Sequence, residues 1–237
     1  MKFKTALFQI VSLLFFLLLL KPLSAEVLSN DIDLELAQYF QIIPSAWKGH
    51  YTFAKWLVHE MQPDQVVDLG VDYGYSTFVF ASALRENGKG IVTGIDLFVG
   101  DGMTGMRSTY AQVINNINVF SFNNVEIIKG DFYTESQQWN RSIDILHIDG
   151  YHSYEAVLND FTNWSPFVKE DGIIVFHDIN VPNPNFGLIQ VFRELQGGRK
   201  LYFLKSYGLG IFTKNFDLAA KILQQFDDVY DFEKNPL

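Results

Sequence analysis

From Gln65 onward the chain alternates two kinds of hydrophobic pattern. Short apolar, β-branched runs at residues 65–69, 91–96, 125–129, 143–148 and 172–176 read as strands. Between them, apolar residues at helical spacing predict helices over 76–85, 107–118 and 154–164. Near-continuous apolar strands separated by amphipathic helices imply a parallel sheet covered on both faces. Upstream, residues 31–40 and 48–61 have helical spacing, and Pro63 closes the second. Downstream, a Pro- and Asn-rich loop at 180–185 leads into a helix at 187–195. Residues 200–204 and 210–213 are joined by a short link, which suits an antiparallel hairpin at one sheet edge. There is no internal repeat and no linker to a second folded domain.

The N-terminus breaks this pattern. Lys2 and Lys4 precede an almost uninterrupted apolar run over residues 6–20, followed by Lys21, Pro22, Leu23, Ser24 and Ala25. Residues 1–25 read as a signal peptide. An uncleaved membrane anchor is the alternative, because Leu23 fits the small-residue rule for cleavage poorly. The protein is therefore expected to be exported or membrane-anchored, touching a membrane only through this segment. Residues 26–237 form the expected folded domain. With 48% hydrophobic and 19% charged residues in 237, the composition is that of a globular protein. A net charge of −9 argues against a nucleic-acid partner, since phosphate binding wants a basic face. The absence of cysteine excludes disulfides, thiolate metal sites and cysteine nucleophiles.

Candidate chemistry gathers at the strand ends. The first strand runs into Asp68-Leu69-Gly70-Val71-Asp72-Tyr73-Gly74-Tyr75-Ser76-Thr77, a tight glycine turn that starts a helix. Asp96, Asp149 and Asp178 stand at or beyond the ends of later strands, and Asp131 follows the third. In a parallel sheet these positions share one edge, where open α/β sheets bind ligands. Clustered like charges repel, so the acids imply ligands. The residues offer a ribose hydroxyl pair, a cationic ligand or a divalent ion; some acids, Asp131 in particular, could instead cap the helices that follow. The spacing Gly70-x-x-x-Gly74 lacks the close glycine pair of a dinucleotide fold and the lysine of a P-loop, which disfavours an NAD-dependent oxidoreductase. An acid at the turn repels a pyrophosphate but suits a sulfonium with an amino-acid tail.

These motifs resemble those of class I S-adenosylmethionine (SAM)-dependent methyltransferases. Within that group the chain is similar to the small-molecule, methyltransferase 24-like family that holds cephalosporin hydroxylase-like and macrolide-sugar O-methyltransferases. The likeness spans about residues 42–212. It rests on Trp47-Lys48-Gly49-His50, the Asp68–Thr77 turn, Gly94-Ile95-Asp96-Leu97 and Val99-Gly100-Asp101. It continues through the run from Leu146 to Val157 and through Phe176-His177-Asp178-Ile179-Asn180, and ends with Asn185-Phe186-Gly187 and Gly208-Leu209-Gly210. The resemblance implies a Rossmann-like sheet of seven strands, order 3-2-1-4-5-7-6, with strand 7 antiparallel. It implies that Asp68, Gly70, Gly74, Tyr75 and Ser76 hold the methionine part of SAM. Asp96 and Leu97 would take the ribose, and Asp131 and Phe132 would flank the adenine.

The implied reaction is methyl transfer to a small-molecule acceptor, an oxygen of a sugar-like hydroxyl fitting the family best. Asp149 and His152 are the candidate catalytic residues. An unperturbed imidazole near pH 6.5 makes His152 a candidate general base, with a helix-start hydrogen bond as the bland reading. Asp149, His177 and Asp178 match positions that hold Mg²⁺ in relatives. Histidine is a poor ligand for so hard a cation, so Mg²⁺, a softer ion such as Mn²⁺, and no metal all stay open. His147, inside an apolar strand, reads as a satisfied core residue, and His59 as surface or packing. A homo-oligomer through the helices before Pro63 is one further option. The rival function is a catalytically silent SAM-binding domain at the cell envelope. Because SAM is made in the cytosol, a cytosol-facing anchor is the alternative to export, although Lys2 and Lys4 favour the opposite orientation.

Overall fold

In the computed structural model, which describes residues 25–103 and 105–237, strand β1 (Gln65–Leu69) is buried along its whole length. It pairs in parallel with β2 (Ile91–Asp96) on one side and β6 (Ile143–Ile148) on the other. β5 (Val125–Lys129) joins beyond β2, and β7 (Val168–His177) joins beyond β6. The minor strands β3 (Gly100–Asp101) and β4 (Gly105–Met106) form a separate antiparallel pair. β9 (Leu209–Thr213) lies antiparallel to β7, β8 (Arg199–Phe203) antiparallel to β9, and β10 (Val229–Asp231) antiparallel to β8.

The order β5-β2-β1-β6-β7-β9-β8 is the expected 3-2-1-4-5-7-6 arrangement. The sheet has eight strands rather than seven, because β10 covers the outer edge of β8. β7 also begins at Val168, four residues before the expected start.

The helices are α1 (Ala25–Ile42), α2 (Tyr51–Met61), α3 (Tyr75–Asn87), α4 (Tyr110–Val119), α5 (Phe132–Ser136), α6 (Tyr154–Trp164), α7 (Leu188–Glu194) and α8 (Phe216–Gln225). The stretch expected as one helix from residue 48 divides into a 3-10 turn, Ala46–His50, and α2. α1 up to Gln41 belongs to a unit separate from Ile42–Leu237, which carries the sheet. Side chains of β1, β6 and β7 meet those of α6 and α7 in one core, in which Trp164, Phe176 and Phe192 are fully buried.

The apolar segment over residues 1–24 lies outside the described residues. Among the described residues no helix is long and apolar enough to cross a membrane. On that finding the expectation of an exported or membrane-anchored protein is corrected.

The register sets up the site. Asp68 lies opposite Gly94 on one side and His147 on the other, and Leu69 lies level with Ile95 and Ile148. The residues that follow therefore leave the sheet together. Gly70 N donates to Ile95 O at 3.0 Å, and Asp149 N donates to Leu69 O at 2.8 Å.

Candidate active site

At the carboxyl edge of the parallel strands opens a cavity of about 860 Å³, within the usual range for a small-molecule site. The β1–α3 turn forms one wall, with Gly70, Tyr75 and Ser76 facing the space. Gly70 (φ 105°) and Gly74 (φ 90°) occupy the left-handed region. A Cβ on Gly70 would lie 2.0 Å from the carbonyl oxygen of Asp149, so only glycine lets β1 and β6 leave the sheet side by side.

Asp96, at the end of β2, is tied down by backbone donors: Asp72 N at 2.8 Å and Phe98 N at 2.6 Å. Burial raises its carboxyl pKa, and these hydrogen bonds pull the other way. Leu97 beside it is half exposed and lines the cavity. Asp131 also lines the cavity, but its side chain caps α5 by accepting from Thr134 N at 2.9 Å. Its contacts with Thr134 hold it below the usual carboxylate range. The Phe132 ring packs against Gly150; a Cβ there would come within 2.4 Å of its Cε2 atom.

Asp68 is placed differently from the expectation. It is fully buried and does not line the cavity. Ser76 Oγ (2.8 Å) and Thr77 Oγ1 (2.5 Å) donate to its Oδ2, and His147 Nδ1 lies 2.7 Å from its Oδ1. Trp47 Nε1 donates to His147 Nε2 at 3.0 Å. An indole can only donate, so Nε2 of His147 carries no proton and Nδ1 must be the donor to Asp68. Asp68 thus anchors a buried relay of side chains. The physical reason is the register, which puts it between two strands and against His147 rather than at the edge. The relay joins Trp47 and Ser76, both of which line the cavity.

At the other wall Asp149, His152 and Asp178 each offer a donor atom, all within 4.8 Å of one another. His152 Nε2 lies 3.0 Å from Asp178 Oδ2 and 3.6 Å from Asp149 Oδ1, and its ring stacks on Phe186 at 4.5 Å. His177, expected in this set, takes a supporting place. Its Nε2 donates to the carbonyl of Ser206 at 3.0 Å, and its Nδ1 sits 3.3 Å from Asp149 Oδ1 and 3.1 Å from Asp178 Oδ1. A ring that donates from one nitrogen and faces carboxylates with the other carries both protons.

Burial opposes charge on His177, but Asp149 and Asp178 outweigh it and raise its pKa. The same balance pushes His152 up to about 10. Asp149 is held well below the usual carboxylate range, the two imidazoles overcoming its burial. The raised pKa of His152 favours its protonated form at neutral pH, whereas a general base acts from the neutral form. His50 is buried behind the cluster; burial and the nearby charge of His177 lower its pKa to about 3. Ser206 binds these parts together. Its carbonyl lies 3.3 Å from His50 Nε2, and its Oγ accepts from Gly49 N at 3.0 Å.

Residues 67–179 match the family model described as a methyltransferase domain. Over those residues the chain is similar to methyltransferase domains. Two curated relatives align with it. The protein y4gI of Sinorhizobium fredii (strain NBRC 101917 / NGR234) is 33% identical over 197 residues, covering 80% of this chain and 21% of that protein. Protein R132 of Acanthamoeba polyphaga mimivirus is 40% identical over 70 residues, covering 26% of this chain and 32% of that protein. The chain thus spans less than a third of these relatives' lengths.

Among solved structures, the O-methyltransferase of Bacillus cereus in complex with SAH matches with a TM-score of 0.56 at 16% identity, over 78% of this chain and 90% of that one. TomG, an O-methyltransferase of Streptomyces achromogenes involved in tomaymycin synthesis, in complex with SAM, matches with a TM-score of 0.55 at 14% identity, over 86% and 95%.

The cavity brings together Gly70, Tyr75, Ser76, Asp96, Leu97, Asp131, Phe132, Asp149, His152, His177 and Asp178, and leaves out Asp68. Sequence reasoning overlooked Asp160, a buried acid on the cavity wall. Its signal was present: Asp160 falls between Val157 and Trp164 at helical spacing, on the apolar face of α6.

Proposed function

We propose that the protein transfers a methyl group from SAM to a hydroxyl of a small molecule, a sugar-like acceptor fitting best. One observation carries the reading. A single cavity joins the glycine turn and Asp96 on one side to the Asp149–His152–Asp178 cluster on the other. That pairs a nucleoside-sized half-site with a polar half-site for an acceptor. The domain family and the SAM- and SAH-bound neighbours support the cofactor.

The residues fit SAM. Asp96 has one backbone donor on each oxygen, which leaves acceptor capacity for a vicinal diol. The close approach at Gly70 leaves the turn open to an amino-acid tail. Bound SAM supplies an electrophilic methyl group for in-line displacement. The chain's own task is alignment, with Tyr75 and Trp47 on the walls and Asp149 oriented to accept a hydrogen bond from the acceptor hydroxyl. Asp149 and Asp178, joined by His152 once a cation displaces its proton, would hold a divalent ion, and such an ion would lower the pKa of a bound hydroxyl. One imidazole with two carboxylates suits Mn²⁺ better than Mg²⁺.

Calorimetric titration of the full chain with SAH tests the cofactor; micromolar binding is expected. Asp96→Ala should weaken it by about tenfold or more, roughly 1.4 kcal/mol. Asp149→Ala should keep SAH binding and abolish transfer of labelled methyl to hydroxyl acceptors. Full turnover by that variant would reject the site assignment.

A further inference from the structure

The β1–α3 turn holds a residue in a conformation its backbone does not favour. Asp72 has φ 49°, in the left-handed region. It is the second residue of a tight turn closed by Gly74 N, which donates to Val71 O at 2.7 Å. Positive φ at that position favours glycine, and a residue with a side chain is strained there. Such strain persists only where the surroundings over-determine it. Two contacts do so here. Asp72 N donates to Asp96 Oδ2 at 2.8 Å, and Asp72 Oδ1 accepts from Arg107 Nε at 2.6 Å. A glycine would offer the same N–H without strain, so the bond to Arg107 is what the aspartate adds.

Arg107 comes from a separate segment, directly after β4, and is itself fixed. Its Nη1 donates to Gly105 O at 2.8 Å and its backbone N to Val99 O at 2.9 Å. Its guanidinium carbon lies 5.9 Å from the centre of the Tyr73 ring. Among the described residues that line the cavity, Arg107 is the only lysine or arginine. The Arg107 and Asp72 side chains are 26% and 41% exposed, and ion pairs so open to water add little to folding stability. The place of the pair therefore matters more than its strength. Burial raises the Asp96 carboxyl, and the charge of Asp72 beside it acts in the same direction. Arg107 offsets the Asp72 charge, which favours an ionised Asp96 whose oxygens can only accept.

We infer that Arg107 is a positioning residue for cofactor binding: through Asp72 it holds the Asp96 carboxylate in place for the hydroxyl pair of a nucleoside ligand, without touching that ligand. This rests on the SAM reading and goes beyond it, since neither Arg107 nor Asp72 is among the cofactor contacts proposed above.

The test titrates the full chain calorimetrically with SAH and with the 2′,3′-dideoxy analogue of SAH, which has no hydroxyl pair. The wild-type protein should prefer SAH by about tenfold or more. Arg107→Met should weaken SAH by about fivefold or more and change the affinity for the dideoxy analogue by less than about twofold. In Asp72→Gly residue 72 has no carboxylate for Arg107 to hold, so adding Arg107→Met should change SAH affinity by less than about threefold. Arg107→Gln, which also lacks the charge, is read in the same way if Arg107→Met does not fold. Equal losses for both ligands, or a full loss on adding Arg107→Met to Asp72→Gly, would overturn this inference alone. Equal binding of both ligands by the wild-type protein would overturn it together with the ribose role of Asp96. A folded wild-type protein that binds no SAH would overturn the cofactor reading as well.

Discussion

Two buried residues set opposing pH responses. Burial pushes the Asp160 carboxyl up to about 7 from its ordinary value of 3.8, so the folded state binds its proton more tightly. Its penalty is absent below about pH 4, grows as pH rises to about 7, and is constant above; it reaches at most about 4 kcal/mol. His50 works in the other sense. Its folded pKa near 3 lies below 6.5, so its contribution is intact above pH 6.5 and is lost as pH falls toward 3. Urea midpoints of wild-type protein and Asp160→Asn across this range separate the two. The variant should gain stability relative to wild type as pH rises from about 4 to about 7. A constant difference would show that Asp160 carries no such penalty.

The relay gives a second residue-scale expectation. His147→Leu would leave Asp68 buried with one donor fewer and Trp47 Nε1 without its acceptor. The loss should be about 3 kcal/mol or more in urea unfolding, since breaking one partner of a buried polar pair exceeds the worth of a surface bond.

Among the elements, the β1–α3 turn is the least forgiving. Gly70→Ala places a Cβ at a positive φ and 2.0 Å from a carbonyl oxygen of the next strand's end. The expected cost is about 3 kcal/mol or more, with weakened SAH binding, read by thermal melting and calorimetry. An unperturbed melting temperature would contradict the close approach.

The central strands were legible because parallel strands buried on both faces read as apolar runs, and β1, β2, β5 and β6 have the expected bounds. β10 was not, because three residues, Val-Tyr-Asp, carry no period of their own and are held by pairing with β8. The site was legible as a set of strand-end acids but not in its assignments. Only the register shows that Asp68 faces His147, and only packing shows that Asp160 comes to the wall while Asp131 caps a helix.

At the scale of the whole molecule, β10 protects an edge. Phe232 packs against Phe192 at 5.6 Å, Tyr202 Oη donates to Asn235 O at 2.9 Å, and Arg199 pairs with Asp231 at 2.6 Å. Deleting residues 229–237 should expose the unpaired edge of β8, lower the melting temperature and promote self-association. Light scattering and melting curves check this; unchanged size and stability would show that β10 is dispensable.

Ser206 has a further consequence. The β8–β9 turn holds Gly49 N through Ser206 Oγ, Asp178 N through Gly208 O and Asn180 N through Tyr207 O, at 3.0, 3.0 and 2.7 Å. Amides from two distant segments, Gly49 on one and Asp178 and Asn180 on the other, thus share one short turn as their acceptor. In native-state hydrogen exchange, Gly49, Asp178 and Asn180 should lose protection together, as one opening unit separate from the strands of the central sheet.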